Sequence, residues 1–293
     1  MTSPANWHFA EGDSITAELS CVKLLGGGSA YEAYLAFDEI TYSPVVVKVL
    51  RPDQVDDKSS LRGLRREVDT LAKVNHPVVV RGLRHELEGR RPHVVLEHIE
   101  GPRLSTLVRR YGPLQPQQYL PLGLDLASAL HYLGGLEVAH LDVKPSNIIM
   151  GSPARLIDLS VARSFDLAAA LTARIGTDAY MAPEQADPRG RFRVPGGASD
   201  VWGLGGSLFE AVTGHRPFRS GDLESDRPEE QYPQLVDDPA ELPNGVPDEV
   251  AKVLYAALER DPVNRPRPHE VSDMLAPVLD RLPRARLSSK LMG

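Results

Sequence analysis

The sequence has little of what would commit a chain to an oxidising compartment, a bilayer or a nucleic acid. Its 293 residues include one cysteine, Cys21, so an internal disulfide is excluded and a reducing cytosol suits it. No apolar run approaches the roughly eighteen residues that a membrane-spanning helix needs. The N-terminal stretch, with Asn6, His8, Glu11 and Asp13, lacks the basic start and apolar centre of a secretory signal. Cations are in the minority: 33 Lys and Arg against 40 Asp and Glu leave a net charge of −7. That balance argues against a nucleic-acid footprint and weakly favours basic partners. The 9 histidines show no metal-ligand spacing, and no Ser-His-Asp arrangement or internal repeat is visible. A soluble, cytoplasmic protein that neither spans a membrane nor binds nucleic acid is the expectation.

What is present is an ordinary globular composition, 42% hydrophobic and 25% charged, on a chain long enough for two lobes with separate cores. Segments 16–25, 30–38 and 44–51 are short apolar or alternating runs separated by turn residues, and predict strands. Ser59 or Ser60 is placed to cap a helix in which Leu61, Leu64, Val68 and Leu71 recur at helical spacing. Segments 78–87 and 92–97 predict two further strands. From Leu104 the pattern turns helical, and over 116–136 Leu122, Leu126, Ala129, Leu130 and Leu133 form one apolar stripe. Later helices are expected over 198–213, 247–258 and 268–282. Strands first and helices afterwards indicate an α+β protein with segregated layers and a hinge near 97–102. Tracts 187–197 and 219–245, rich in Pro, Gly and charge, read as loops.

The densest chemistry lies in His140-Leu141-Asp142-Val143-Lys144-Pro145-Ser146-Asn147, followed eleven residues later by Asp158. One short loop thus holds a carboxylate, a cation and an amide, and a second carboxylate returns soon after. Phosphoryl transfer from a magnesium nucleotide needs this set. Asp142 can orient a hydroxyl and accept its proton, and Lys144 can steady the migrating charge. Asn147 and Asp158 are hard oxygen donors of the kind Mg²⁺ takes alongside phosphates and water. The plain alternative is a turn whose Asp and Asn cap local backbone.

The loop resembles the H-R-D-x-K-x-x-N catalytic loop of protein kinases, and other segments resemble that family in the same order. The resemblance runs from Thr16 to Leu282 and is closest to bacterial serine/threonine kinases of the eukaryotic (Hanks) type. It implies the bilobal kinase fold: a five-stranded N-lobe with one helix (16–98) and a mainly helical C-lobe (99–282), between an extension (1–15) and a tail (283–293). Leu25, Gly26, Gly27 and Gly28 stand where the family carries its glycine-rich phosphate loop, although a glycine hairpin turn alone would look similar. Lys48, on an otherwise apolar strand, is expected to pair with Glu67 of Arg65-Arg66-Glu67-Val68 and hold the nucleotide phosphates. Without that context Lys48 would read as a snorkelling edge residue and Glu67 as part of a solvated helix face. Leu96 matches the gatekeeper, and the backbones of Glu97 and Ile99 match the adenine-reading hinge. Ala33, Val46 and Ile149 would sandwich the purine. ATP, Mg²⁺ (Mn²⁺ as a substitute) and a protein substrate bearing a Ser or Thr acceptor are the implied ligands. Self-association is left open.

Further on, Gly176-Thr177-Asp178-Ala179-Tyr180-Met181-Ala182-Pro183-Glu184 matches the end of the family's activation segment. The resemblance implies that Thr177 contacts Asp142 and Lys144, that Glu184 pairs with Arg265, and that Asp200 and Trp202 belong to the helix bracing the catalytic loop. Three positions depart from the family. Leu141 replaces the arginine of H-R-D, which implies activity independent of an activation-loop phosphate (a non-RD kinase). Ser160 stands where the family's D-F-G has glycine, so conformations open only to glycine become costly. Tyr31 occupies the third glycine position and is expected either to cover the phosphates or to hinder closure. Tyr31 and Ser160 are the support for a second reading, a pseudokinase that binds nucleotide without transfer. A kinase-fold enzyme acting on small molecules is disfavoured by the peptide-shaping Ala182-Pro183-Glu184 segment. Arg189, Arg191 and Arg193, and the acidic set Asp222, Glu224, Asp226, Glu229 and Glu230, read as solvated surface, the latter with a possible pull on basic partners.

Overall fold

A computed structural model describes residues 5–190, 192 and 194–283. Arg191, Arg193 and nearly all of the expected tail therefore lie outside the described residues. The N-terminal part is an antiparallel five-stranded sheet of β1 (Leu19–Gly27), β2 (Tyr31–Asp38), β3 (Ser43–Leu50), β4 (Gly82–Glu86) and β5 (His93–Glu97), in the order β1-β2-β3-β5-β4. Between β3 and β4 runs α1 (Lys58–Leu71). The strands begin and end within a few residues of their predicted limits, the largest difference being at β4, where 78–81 precede the ladder. The cap of α1 differs as well. Asp57, not a serine, is the N-cap and accepts from Ser60 N–H at 2.7 Å, while the Ser60 hydroxyl donates to Gln54 at 2.8 Å.

The period-two alternation of β2 and β3 divides this lobe into two cores. Glu32, Tyr34, Ala36, Val45, Val47 and Val49 face outward, where Ile15, Leu19 and Cys21 join them. The alternate residues Val46, Lys48 and Leu50 face α1, whose Leu64, Val68 and Leu71 continue into the main core. One strand therefore carries a core for each of its faces, and Lys48 sits on the face that meets the rest of the protein.

The second part is mainly helical. It contains α2 (Leu104–Tyr111), α3 (Pro116–Gly135), the short strands β6 (Val138–Ala139), β7 (Ile148–Ile149), β8 (Arg155–Leu156) and β9 (Arg163–Ser164), then α4 (Phe165–Ala169), α5 (Pro183–Ala186), α6 (Gly197–Thr213), α7 (Pro228–Gln231), α8 (Asp248–Ala257) and α9 (Pro268–Asp280). The stripe read on α3 is wholly buried, and α3 and α6 form the centre of the main core. α6 lies so close to the catalytic-loop segment that a Cβ on Gly203 would stand 2.6 Å from the Val143 carbonyl oxygen.

The expected Glu184–Arg265 pair is present and its side chains are fully buried. Arg265 donates from Nη1 and Nη2 to the two Glu184 carboxylate oxygens at 2.7 and 2.8 Å. Its remaining donors reach the Glu259, Ala198 and Arg260 carbonyls, so all five are used. A buried pair left with one partner costs about 3–5 kcal/mol, and here the partner would be stranded in the core. On α6 the Trp202 ring faces the Arg265 guanidinium, 5.0 Å from centroid to Cζ, and stacks on Phe218.

A second ion pair sets the edge of the N-lobe. Arg84 on β4 grips Asp38 at the end of β2 through both nitrogens, at 2.7 and 2.5 Å. This fork, with help from Thr41 and the Ile40 N–H, holds the Asp38 carboxyl well below the usual carboxylate range against the opposing effect of burial. A carboxyl depressed in the folded state contributes stability that is fully present above its unfolded value, near 3.9, and is lost as pH falls through its folded value. Asp38→Asn is expected to cost about 1.5–3 kcal/mol at pH 7. In urea titrations the gap from wild type should shrink as pH falls below about 4; a gap unchanged at pH 3 would show that the charge contributes nothing.

Candidate active site

Lys48 joins three elements from both parts of the chain. Its Nζ donates to Glu67 Oε1 on α1 at 2.6 Å and to Asp158 Oδ1, past β8, at 2.8 Å. Lys48 and Glu67 are 5% and 3% exposed, so neither charge has water to rely on. Burial alone would drive the ammonium to its neutral form; Asp158 and Glu67 reverse this and push its pKa up. Burial opposes the charge of Asp158 too, and Lys48 keeps that carboxyl well below its ordinary value. Glu67 goes the other way, because burial outweighs its share of Lys48. Asp158 reaches this position through a left-handed backbone, φ 70°, an unfavourable conformation for a residue with a Cβ.

The catalytic-loop segment is held by groups on α5 and α6. Asp200 accepts the backbone N–H groups of His140 and Leu141, both at 2.7 Å. Gln185 donates to the Leu141 carbonyl at 2.8 Å and to that of Ile175 at 3.0 Å. Leu141 has φ 62°, and these bonds grip its peptide groups on both sides, holding a conformation that a leucine otherwise avoids. Burial pushes the His140 pKa down, toward the neutral imidazole. Its contacts to the Ile157 carbonyl (3.2 Å) and the Asp142 N–H (3.3 Å) fit a proton on Nε2.

Within this frame Asp142 is surrounded by donors. Thr177 Oγ1 reaches Oδ1 at 2.8 Å, Lys144 Nζ reaches Oδ2 at 2.7 Å, and Asn147 Nδ2 reaches Oδ2 and the Asp142 carbonyl at 3.0 Å each. Lys144 also donates to Thr177, closing a ring of three side chains. Because Asn147 spends its nitrogen on Asp142, its oxygen is the atom left for another partner. No cluster of three or more His, Cys, Asp or Glu suited to a metal occurs among the described residues. An amide oxygen and one carboxylate fit Mg²⁺, which retains water and phosphate ligands, better than a metal needing an all-protein cage.

The other residues singled out in the sequence belong to the N-lobe sheet and its β1–β2 turn, the segment after β5, and β7. Gly26, Gly27 and Gly28 form the β1–β2 hairpin, where Gly28 N–H donates to Tyr31 O at 3.0 Å, and Leu25 precedes them with 40% exposure. Ala33 and Val46 are half-buried on the Lys48 face of the sheet, opposite Lys48 and Leu96 in the strand registers. Leu96 is buried, Ile99 packs on the main core, and Ile149 is buried on β7. The Glu97 carboxylate faces away from this work: it accepts Arg81 N–H at 2.7 Å and pairs with Arg155.

The three departures resolve differently. Leu141 lies 2% exposed in an apolar cluster with Ala139, Ala168, Val161, Phe165, Leu171 and Ile175, so hydrophobic packing ties the loop to the activation segment. At Ser160 the φ is not positive; the left-handed residue is Asp158, and the serine Cβ is accommodated. Tyr31 turns inward. Its ring centroid is 4.2 Å from Lys48 Nζ and its hydroxyl donates to Asp158 Oδ2 at 3.3 Å. The role of Gln185 was not read from the sequence; its place directly after Glu184 was the available signal. In the acidic tract, Glu230 is occupied by Arg227 at 2.7 Å and Ser225 at 2.6 Å.

A five-stranded sheet with one helix, a helical part beyond it, and these polar groups where the two meet define the protein kinase fold. Residues 19–275 match the family described as protein kinase domain, and the chain belongs to that family. It is similar to the serine/threonine-protein kinase PknB of Mycobacterium leprae, 33% identical over 254 residues, covering 83% of this chain and 40% of the relative. It is also similar to the serine/threonine-protein kinase PrkC of Bacillus subtilis, 29% identical over 293 residues, covering 95% and 43%. A probable serine/threonine-protein kinase, PkwA of Thermomonospora curvata, is 33% identical over 258 residues, covering 87% and 33%. The chain thus spans about two fifths or less of the length of these bacterial relatives.

Proposed function

We propose that this chain is the catalytic domain of an active serine/threonine protein kinase, transferring the γ-phosphoryl group of ATP to a protein Ser or Thr hydroxyl. The observation that carries the reading is Lys48, a buried cation bonded at once to Glu67 and Asp158. A cation so held is already fixed for the α and β phosphates, and its charge is maintained by the same carboxylates. Ala33, Val46, Leu96 and Ile149 would hold the purine, with the Glu97 and Ile99 backbones reading its edge. The Gly26–Gly28 hairpin would cover the phosphates. Asn147 and Asp158 would hold Mg²⁺, which when bound neutralises charge on the transferring phosphates. Asp142 orients the acceptor hydroxyl and takes its proton, while Lys144 and Thr177 fix the carboxylate and Lys144 supplies positive charge beside it. No helix among the described residues is long and apolar enough to cross a membrane. The compartment we infer is the cytoplasm, which supplies ATP and keeps the buried Cys21 thiol reduced.

A pseudokinase reading draws on Tyr31, whose hydroxyl occupies an oxygen of Asp158 that a metal would need. Phosphate transfer from labelled ATP to the protein itself and to a generic basic protein separates the two readings. Wild type should transfer, and Asp142→Asn should lose about 10²–10⁴-fold. Nucleotide binding with transfer no greater than the mutant's would sink the active-kinase reading. Tyr31→Phe removes only the hydroxyl, and MgATP affinity should rise by about threefold to tenfold, the worth of one hydrogen bond. Unchanged affinity would mean the hydroxyl leaves Asp158 without cost.

The apolar seat of Leu141 bears on regulation. Since packing holds the activation segment here, kinase activity should change by less than about twofold after exhaustive phosphatase treatment. A large loss would show that another cation in the chain binds an activating phosphate.

A further inference from the structure

Residues 5–15 lie across the outer face of the N-lobe sheet. Trp7 and Phe9 stack on each other at 5.8 Å and pack on the outer core, and Arg91 lies over both rings at 5.0 and 4.9 Å. The Trp7 indole N–H donates to Leu50 O at 2.8 Å, and Gly12 and Asp13 exchange backbone bonds with Cys21, each 2.8 Å long. This segment closes a face of the sheet that would otherwise expose Tyr34, Val45 and Val47.

Its innermost end meets the glycine hairpin through Arg51. Arg51 Nε donates to Gly28 O at 2.7 Å, while Nη1 reaches Ala5 O at 3.1 Å, Asn6 Oδ1, and Glu32 Oε1 at 3.3 Å. The Arg51 backbone N–H donates to Ala30 O at 3.0 Å, so main chain and side chain hold the same turn. Glu32, 1% exposed, takes the Trp7 N–H and the Tyr34 hydroxyl on its other oxygen, each at 3.1 Å. A planar guanidinium is suited to bridging such acceptors in fixed geometry. The base of the hairpin is held by the β1–β2 ladder, with Gly27 opposite Glu32, and by Gly28 N–H to Tyr31 O. Its tip is open, since a Cβ on Gly28 would meet nothing within 4 Å, and there the Arg51 side chain is the added tie.

We propose that residues 5–15 form a strap that sets the position of the glycine hairpin over the cleft, with Arg51 as the positioning residue that links strap and hairpin. The proposal rests on the reading that this hairpin covers nucleotide phosphates. A hairpin held in its binding position loses less conformational freedom when the nucleotide arrives, so the strap acts on affinity while leaving the groups of the transfer step untouched.

The test compares wild type with Trp7→Ala, Arg51→Lys and, as a control, Leu71→Ala, which opens the other core of the same lobe. Hydrogen exchange of amides 26–31, MgATP affinity and kcat are measured on each. Trp7→Ala and Arg51→Lys should raise hairpin exchange about tenfold and weaken MgATP by about threefold to tenfold, with kcat at saturating nucleotide within about twofold. Leu71→Ala should leave hairpin exchange as in wild type. If Trp7→Ala does not fold, Trp7→Phe, which keeps the stacking but lacks the indole N–H, should give a smaller change in the same direction. Wild-type exchange in both strap variants, an effect of Arg51→Lys without one from the Trp7 variants, or an equal rise in Leu71→Ala overturns the strap. Raised hairpin exchange with no nucleotide binding even in wild type would support the strap and overturn the nucleotide reading on which the affinity argument depends.

Discussion

The arrangement of the site depends on a single buried cation. An ammonium taken out of water is tolerated only where carboxylates replace its hydration, and Lys48 finds them on two different elements, α1 and the segment after β8. Each partner is costly in its own right. Glu67 is buried against the main core, and Asp158, whose charge burial opposes, sits in a left-handed conformation. Removing any one of the three leaves the others uncompensated, so the sheet, α1 and the helical part are held in one relative placement by electrostatics as much as by packing. Tyr31 adds a fourth member by laying its ring against the cation and its hydroxyl on the carboxylate.

A second constraint is the holding of irregular backbone by buried side chains. The catalytic loop has few backbone bonds of its own, and Asp200, Gln185 and the Asn147–Asp142 contact supply what a ladder or helix would. These bonds let Leu141 keep a conformation that disfavours it, and its side chain then completes an apolar cluster with the activation segment. Where an arginine would await a phosphate, a leucine is already packed. The same logic recurs at Arg265, whose five donors serve one carboxylate and three carbonyls beneath that segment. Order in the catalytic loop is thus supplied by side chains buried in the core.

Much of this was legible from the chain. The alternation over β2 and β3, the stripe on α3 and the strands-before-helices order follow from period and composition. The pairs Lys48–Glu67 and Glu184–Arg265 could be named because fixed residue types at fixed spacings resemble a known family. The cap of α1 was not legible. Asp57 capped α1 because the side chain one position before the helix competes best for its free N–H groups, and Ser60 already lay inside. Trp202, read as part of the helix that braces the catalytic loop, lies on that helix, and its ring faces Arg265.

The linear order of residue types therefore determined the fold class, the identity of the charged groups and the faces they occupy, because periodicity and motif spacing are local properties. Tertiary structure alone decided how the departures are used. Whether Tyr31 turns toward Asp158, whether Leu141 is strained or stranded, and whether Ser160 must take a glycine's backbone depend on distant partners: Lys48, Asp200, Gln185 and the activation segment. So too with residues 5–15, whose link to the glycine hairpin depends on Arg51 bringing two far-separated carbonyls within reach of one guanidinium.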